Sequence, residues 1–255
     1  MNLTTYSRTI LFFGLIAFQV LSFTACQDDE NDQAAIEGIY VVNEGYFQAN
    51  NASVTLINPE NQEAIQNYFH DVNNYNLGDI AQDLTFHGDK GYIVVNNSHK
   101  MEVVDKESFE SLGVIENLSY PRQFIGIDDN KGYISDGTSA TGENAHVLVV
   151  DLNEYTITDS IEVGKGPESM LKKDNRIFVA NMGGFSTGNT VSVIDSDQDT
   201  LLKTIQVSKN PSDLVEDSNG NIWVYCKGAI DLNTYKYYAQ LVKINSENYE
   251  TETYT

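Results

Sequence analysis

The feature that most constrains the fold is a tandem repeat of short strands. In each copy one strand is followed, after a loop, by a second strand that ends in Asn or Asp. The last residues of this second strand are 47, 46, 44 and 50 positions apart, at Asn58, Asp105, Asp151, Asp195 and Asn245. A period in this range with several short strands per copy is typical of propeller blades. The sequence therefore predicts an all-β chain, a β-propeller of four-stranded blades.

The fourth repeat shows how one blade is divided into strands. Its predicted strands are residues 169–171, 176–181, 191–195 and 202–207, joined by polar turns. Apolar residues such as Val191 and Val193 alternate with polar ones, as half-buried strands require. Helical periodicity is absent from the sequence after Cys26, so we expect no helix there.

The count of strands leaves the predicted ring open. The first blade begins with its second strand at residues 38–43, and the fifth blade ends near residues 249–253. About five blades are then present, with an unpaired edge of the kind that natural β-proteins avoid. We expect a truncated chain from a larger propeller; a ring that closes imperfectly is the alternative.

The first 25 residues have the pattern of a lipoprotein signal peptide. Arg8 precedes the apolar stretch 10–18, and the small residues Thr24 and Ala25 precede Cys26. We expect Cys26 to be the lipidated residue, although ordinary secretion with an incidental cysteine remains the alternative. Residues 26–37 contain an acidic run and are predicted to form a flexible tether, followed by the propeller domain at 38–255. The acidic run resembles the export tag of bacteroidete surface lipoproteins, which implies the outer membrane and the cell surface; a plain hydrophilic spacer is the alternative.

The net charge of −22 disfavours nucleic acid and anionic lipid as partners. So negative a surface repels the phosphates of nucleic acid and the headgroups of anionic lipid. We expect no nucleic-acid binding and membrane attachment by the lipid alone.

Several strands carry a recognisable motif. YVVN at Tyr40, YIVVNN at Tyr92 and FVAN at Phe178 resemble the YVTN-type β-propeller repeat. Segments 42–45, 50–54 and 78–83 also resemble bacteroidete surface lipoproteins with this propeller. The resemblance implies a ring of seven blades, so that about two would be missing here. Some of these relatives capture cobalamin above a TonB-dependent transporter. The resemblance therefore implies a small-molecule ligand, with a corrinoid as one case, and an outer-membrane transporter as partner.

The long connections indicate where a ligand would bind. Strand alternation places five of them on one face of the propeller, where binding function is usually found: 44–53, 97–101, 137–146, 182–190 and 226–240. The aromatic candidates on this face are Tyr46, Phe47, Tyr120, Phe185 and Tyr235. Rings that only cover strand ends are the alternative.

Polar residues at the starts of the innermost strands form a second set of candidates. We expect Asp83, Arg122, Gln123, Glu168 and Asp213 near the channel mouth. Arg122 is suited to receive a carboxylate or phosphate, although simple hydration of the channel is equally compatible. His99 is a candidate on the long-loop face.

The sequence contains no metal-binding or catalytic motif, so no cofactor and no metal site is predicted. Residues 195–199 begin like a calcium loop, but Thr200 and Gln206 stand where Gly and Glu are needed. The leading hypothesis is a lipid-anchored ligand-binding propeller that assists a nutrient transporter. The alternatives are a propeller enzyme of the lactonase or lyase type and a protein-interaction or adhesion module.

Overall fold

The computed structural model describes residues 38–231 and 234–254. These residues form antiparallel sheets joined in sequence order, which are the blades of a β-propeller. We letter the strands of a complete blade A to D, from the innermost outwards. The first blade has three strands, B to D, and the next four blades have four strands each. The predicted all-β propeller with about five blades is confirmed.

The strand bounds follow the repeat closely. Blade 1 contains β1 (Ile39–Asn43), β2 (Ser53–Ile57) and β3 (Ala64–Ile65). Blade 2 contains β4 (Ala81–His87), β5 (Lys90–Val95), β6 (Lys100–Asp105) and β7 (Ser111–Ile115). Blade 3 contains β8 (Pro121–Gly126), β9 (Lys131–Asp136), β10 (His146–Asp151) and β11 (Thr156–Glu162). Blade 4 contains β12 (Pro167–Lys173), β13 (Arg176–Asn181), β14 (Thr190–Asp195) and β15 (Thr200–Gln206).

Blade 5 carries an addition. Its sheet contains β16 (Pro211–Glu216), β17 (Ile222–Cys226), β20 (Gln240–Ile244) and β21 (Thr251–Tyr254). A small hairpin of β18 (Ile230–Asp231) and β19 (Lys236–Tyr237) lies inside the connection from β17 to β20. The last strand begins two residues later than the predicted 249–253, because Tyr249 has a φ of 64° and closes the preceding turn.

The core lies between the blades. Along β5, Tyr92 and Val94 pack towards blade 3, whereas Ile93 and Val95 pack towards blade 1. Consecutive side chains of a strand point to opposite faces. Since a neighbouring blade packs against each face of β5, both faces of this strand are buried. Burial of both faces explains why residues 92–95 of β5 form a continuous apolar run.

The expectation that no helix follows Cys26 is wrong at one place. The short helix α1 (Tyr68–Asn73) lies in the connection from blade 1 to blade 2. It buries Phe69 completely in the core between these blades, and Asn67 and Asn74 flank it in left-handed conformations. A helix of six residues is too short to show helical periodicity in the sequence.

Candidate functional site

A cavity of about 590 Å³ lies where the connections of the first four blades meet. Pockets of this size are typical of small-molecule sites. The connections that line it join strands B and C of one blade or strand D to the next strand A. Its lining residues are Glu44, Phe47, Ile80, Asn96, Asn97, Tyr120, Arg122, Gly137, Ser139, Ala140, Gly166, Pro167, Glu168, Met182, Gly184 and Phe185.

The cavity brings together about half of the candidates from the sequence. Phe47, Tyr120, Arg122, Glu168 and Phe185 all line it. They come from blades 1, 3 and 4 and the connections between them, so segments more than a hundred residues apart meet at one site.

Two phenylalanines are held exposed at the cavity. Phe185 is 89% exposed and Phe47 is 67% exposed. Burial of aromatic surface is a large favourable term in folding, and neither ring contributes fully to it. Rings left in solvent beside a cavity are typical of a binding surface.

The loop that carries Phe185 is fixed by backbone hydrogen bonds between blades 3 and 4. The Phe185 N–H donates to the carbonyl of Ala140 (2.8 Å), and the Gly166 N–H donates to the carbonyl of Gly142 (2.9 Å). The Met182 N–H in turn donates to the carbonyl of Gly166 (2.9 Å). These bonds hold one wall of the cavity in a defined shape, so a ligand would not have to order it.

The turn that carries Phe47 is also held in place. The side chain of Asn51 accepts from the Tyr46 N–H (2.9 Å), and Asp79 Oδ2 accepts from the Gln48 N–H (2.7 Å). Phe47 therefore lies between two anchored residues. Its neighbour Tyr46 is 79% exposed and does not line the cavity.

Arg122 is paired within the protein. Its Nε and Nη2 atoms donate to the two carboxylate oxygens of Glu168 at 3.0 and 2.5 Å, a bidentate ion pair in the cavity lining. Such pairs are the strong class of charge-assisted hydrogen bond. Arg122 was expected to bind a ligand carboxylate or phosphate. In the structure the Glu168 carboxylate already occupies the hydrogen-bonding position that such a ligand would take.

The remaining polar candidates at the starts of strand A join neighbouring blades. Asp83 Oδ2 accepts from the Phe124 N–H (3.1 Å), and Gln123 Oε1 accepts from the Met170 N–H. The Ser169 hydroxyl donates weakly to Asp213 Oδ1 (3.4 Å). Each of these strands has a register shift at this point, which frees backbone groups for such bonds. Burial raises the pKa of Asp83 more than its hydrogen bonds lower it.

His99 supports the cavity from outside its lining. Its Nδ1–H donates to the carbonyl of Ser119 (2.7 Å), and its ring meets the Tyr120 ring edge to face at 6.3 Å. Tyr235, 77% exposed, lies on the blade 5 connection and does not line the cavity. Tyr75, also an aromatic of these connections, donates its hydroxyl to the buried carboxylate of Glu102 (2.5 Å).

Several lining residues were not among the candidates from the sequence. They are Glu44, Ile80, Asn96, Asn97, Ser139, Ala140, Pro167, Met182 and the glycines of the wall. The sequence offers one signal for them, because Asn96 and Asn97 end the strand motif YIVVNN and Met182 follows the motif FVAN.

Some expectations fall outside the described residues. The signal peptide, Cys26 and the acidic tether all lie within residues 1–37. Among the helices of residues 38–231 and 234–254, none is both long and apolar enough to cross a bilayer. In the same residues no group of three His, Cys, Asp or Glu side chains is arranged to hold a metal ion.

Solved structures similar to this chain share its fold. Hydrazine synthase of Kuenenia stuttgartiensis superposes with a TM-score of 0.56 at 18% identity, covering 71% of this chain and 53% of that one. A protein of unknown function from Bacteroides caccae gives 0.56 at 14% identity, with 85% and 72% covered. A chain of the nidogen–laminin complex gives 0.59 at 11% identity, with 87% and 76% covered. Hydrazine synthase and nidogen are β-propeller proteins, and at these identities the likeness shows the fold alone.

This chain therefore spans about half the length of the hydrazine synthase chain that it matches. A comparison with curated proteins finds no match. Residues 37–255 match the family described as "Domain of unknown function (DUF5074)", and the chain belongs to that family.

Proposed function

We propose that this chain is a lipid-anchored β-propeller protein of the bacterial cell surface. It binds a small-molecule ligand in the cavity between the connections of the first four blades, and it assists an outer-membrane transporter. The observation that carries the proposal is the cavity itself. Connections from four blades converge on about 590 Å³, and two exposed phenylalanines stand on anchored loops at its edge. Rigid loops around a partly apolar cavity are suited to binding.

The chemistry of the lining favours binding over catalysis. Arg122 and Glu168 neutralise each other, and the other lining groups are one further carboxylate (Glu44), amides, two hydroxyls, aromatic and aliphatic side chains and backbone. The lining hydroxyls belong to Ser139 and Tyr120, and the Ser139 Oγ lies 3.3 Å from the Thr141 hydroxyl, which is no general base.

The location at the cell surface rests on the leader and on the resemblance to surface lipoproteins. An acyl chain on Cys26 and a polar tether would keep the cavity close to the membrane and raise the local ligand concentration beside a transporter. Replacing Cys26 with Ala is expected to abolish incorporation of labelled palmitate and to release the protein from membranes. Retained label in the Cys26→Ala variant would contradict the lipid anchor.

A corrinoid is the ligand that the family resemblance suggests. Calorimetric titration of the full chain with cobalamin and with cobinamide tests it. We expect binding that weakens at least tenfold when Phe47 and Phe185 are both replaced with Ala, because the rings supply the apolar contact. The matched control is Tyr46→Ala, which removes an exposed aromatic side chain beside the cavity without changing its lining. Absence of heat with both compounds would exclude the corrinoid and leave other ligands open.

A further inference from the structure

The charges at the cavity show which ligands it can accept. Three charged side chains line it, Glu44, Arg122 and Glu168. The two glutamates outnumber the arginine, so the lining carries an excess of one negative charge. The whole chain adds a net charge of −22, and a cleft concentrates such a field.

Arg122 does not present a free positive charge to a ligand. Both oxygens of Glu168 are bound to it, and these side chains are only 30% and 19% exposed. An incoming anion would have to displace Glu168 and leave its carboxylate without a partner in a partly desolvated place. Loss of one partner from such a pair is strongly unfavourable. The ion pair therefore acts against anionic ligands.

A buried carboxylate lies directly behind the lining. Asp79 is 6% exposed and precedes the lining residue Ile80. Its Oδ2 atom accepts from Gln48 and from the side chain of Asn97 (2.6 Å), while its Oδ1 atom has no hydrogen-bond partner among the described residues. Because a buried charge is poorly screened, Asp79 adds negative potential to this side of the cavity.

A lysine lies beside the lining residue Met182. The Lys227 Nζ atom is 3.8 Å from the sulfur of Met182, which lines the cavity. Lys227 is exposed to solvent, where water and salt screen its charge. It therefore weakens the negative potential of the cavity without reversing it.

The aromatic residues favour the same sign of ligand. Phe47, Tyr120 and Phe185 line the cavity, and the faces of aromatic rings attract cations. We propose that the cavity takes an apolar ligand that carries positive charge and discriminates against carboxylates, phosphates and other anions. This inference rests on the proposed function, since it names the ligand class of the same cavity.

Two probes of matched shape test the charge preference. Tetraphenylphosphonium and tetraphenylborate have nearly the same size and apolar surface, with opposite charges. The full chain is titrated with each by calorimetry in sodium buffer at about 0.15 M salt, where charges more than about 8 Å away are largely screened. We expect the Kd of the cation to be at least about tenfold lower than the Kd of the anion, a difference that one excess charge at short range can produce.

Variants locate the binding and separate the possible failures. Phe185→Ala is expected to weaken binding of the cation at least tenfold, whereas Tyr46→Ala is expected to leave the binding of the cation unchanged. Glu168→Gln removes the carboxylate that pairs with Arg122. It is expected to change the ratio of the two dissociation constants by about tenfold in favour of the anion. Glu44→Gln is expected to shift it in the same direction without loss of the fold, because Glu44 is exposed. Because all variants carry the same leader, binding elsewhere on the chain cancels in these comparisons.

Each outcome decides the matter. Tighter binding of the cation that depends on Phe185 supports the inference. Equal or tighter binding of tetraphenylborate that still depends on Phe185 overturns the charge preference and leaves the binding cavity standing. Absence of binding by both probes, or binding that is indifferent to both Phe185→Ala and Phe47→Ala, overturns the inference; the proposed function is then decided separately by the corrinoid titration.

Discussion

The side chain of Asp217 organises the turn from strand A to strand B of blade 5. Its carboxylate accepts from Trp223 Nε1 (2.9 Å), from the side chain of Asn221 (3.1 Å) and from the backbone N–H of Asn219 (2.8 Å). The hydrogen bonds from Trp223 and then Asn221 hold the pKa of Asp217 well below its ordinary value. The folded state therefore prefers the ionised carboxylate.

This preference predicts a pH dependence. Because the folded pKa lies below the unfolded one, the contribution of Asp217 is present above the unfolded pKa, about 4, and is lost as the pH falls towards the folded pKa. We expect Asp217→Asn to lower the Tm at pH 7 and to reduce the loss of Tm between about pH 5 and about pH 2. The fluorescence of Trp223, the only tryptophan of the chain, follows the melting. Asp129→Asn, an exposed residue in the corresponding turn of blade 3, is the control; an equal effect there would contradict this role of Asp217.

The residue scale also shows what the sequence could not reveal about the site. Tyr46 and Phe47 are adjacent aromatic residues on one loop, yet Phe47 alone lines the cavity. Their directions depend on a turn in which Gln48 and Asn50 have φ values of 65° and 51°. Left-handed conformations at residues other than Gly are uncommon, so the direction of the two rings could not be predicted from the sequence.

At the scale of elements, the loop wall between blades 3 and 4 depends on the absence of side chains. Gly166 has a φ of +56°, and a Cβ atom there would lie 2.2 Å from the Gly184 nitrogen. Real Cβ atoms do not approach backbone so closely, so the loops would have to separate. Gly88 has a similar φ of +62° in an A–B turn, but a Cβ atom there would meet nothing within 4 Å.

These two glycines form a matched pair of substitutions. Gly88→Ala is expected to destabilise the fold by about 1–2 kcal/mol, the cost of the left-handed conformation. Gly166→Ala adds steric overlap and is expected to cost about 1–3 kcal/mol more. It is also expected to weaken tetraphenylphosphonium binding, whereas Gly88→Ala is not. Chemical denaturation and calorimetry measure both effects, and equal destabilisation by the two variants would contradict the packed wall.

Strand B has a different environment in the middle blades and in blade 5. On β9, Tyr133 packs towards blade 4 and Ile134 towards blade 2, and both are fully buried. On β17, Val224 is fully buried against blade 4, but Tyr225 is 44% exposed on the opposite face. Both strands have a Tyr next to an aliphatic residue at their centre, and the difference lies in whether the described residues place a sheet against each face.

This difference gives a second prediction at the scale of elements. We expect Ile134→Ala to destabilise the fold by about 2–5 kcal/mol, because it opens a cavity between blades. Tyr225→Ala is expected to change stability by less than about 1 kcal/mol, since no blade formed by residues 38–231 and 234–254 packs against this face. Urea denaturation curves with equal m-values would provide the comparison. A loss at Tyr225 as large as that at Ile134 would mean that another surface covers this face.

At the scale of the whole molecule, the repeat made the fold predictable. Every blade repeats the same local pattern of strand, turn and buried register, so the architecture follows from a period that can be read along the chain. The helix α1 was missed because it occurs once and is short. The sequence predicts that the long connections share one face, and the cavity lies among these connections; its lining could not be predicted because it joins Glu44 to Phe185 across four blades. The spacing of these loops is a property of packing between blades.

The excess of acidic residues, 37 against 15 basic ones, bears on the stability of the whole molecule. Folding brings these carboxylates closer together, so their repulsion opposes the compact state, and salt screens charges more than about a Debye length apart. We therefore expect the Tm at pH 7 to rise by several degrees as NaCl increases from about 0.01 M to about 0.5 M. Chloride is preferred to sulfate, because sulfate stabilises folded proteins by its exclusion from their surface.

The same titration near pH 4.3, the pI of the sequence, is the control for this effect. There the net repulsion vanishes, and NaCl is expected to leave the Tm unchanged or to lower it by screening the remaining ion pairs. A rise of equal size at both pH values would show that the salt acts on hydration and not on charge. In that case the acidic surface would be neutral for folding, and its effect would be confined to the selection of ligands and partners.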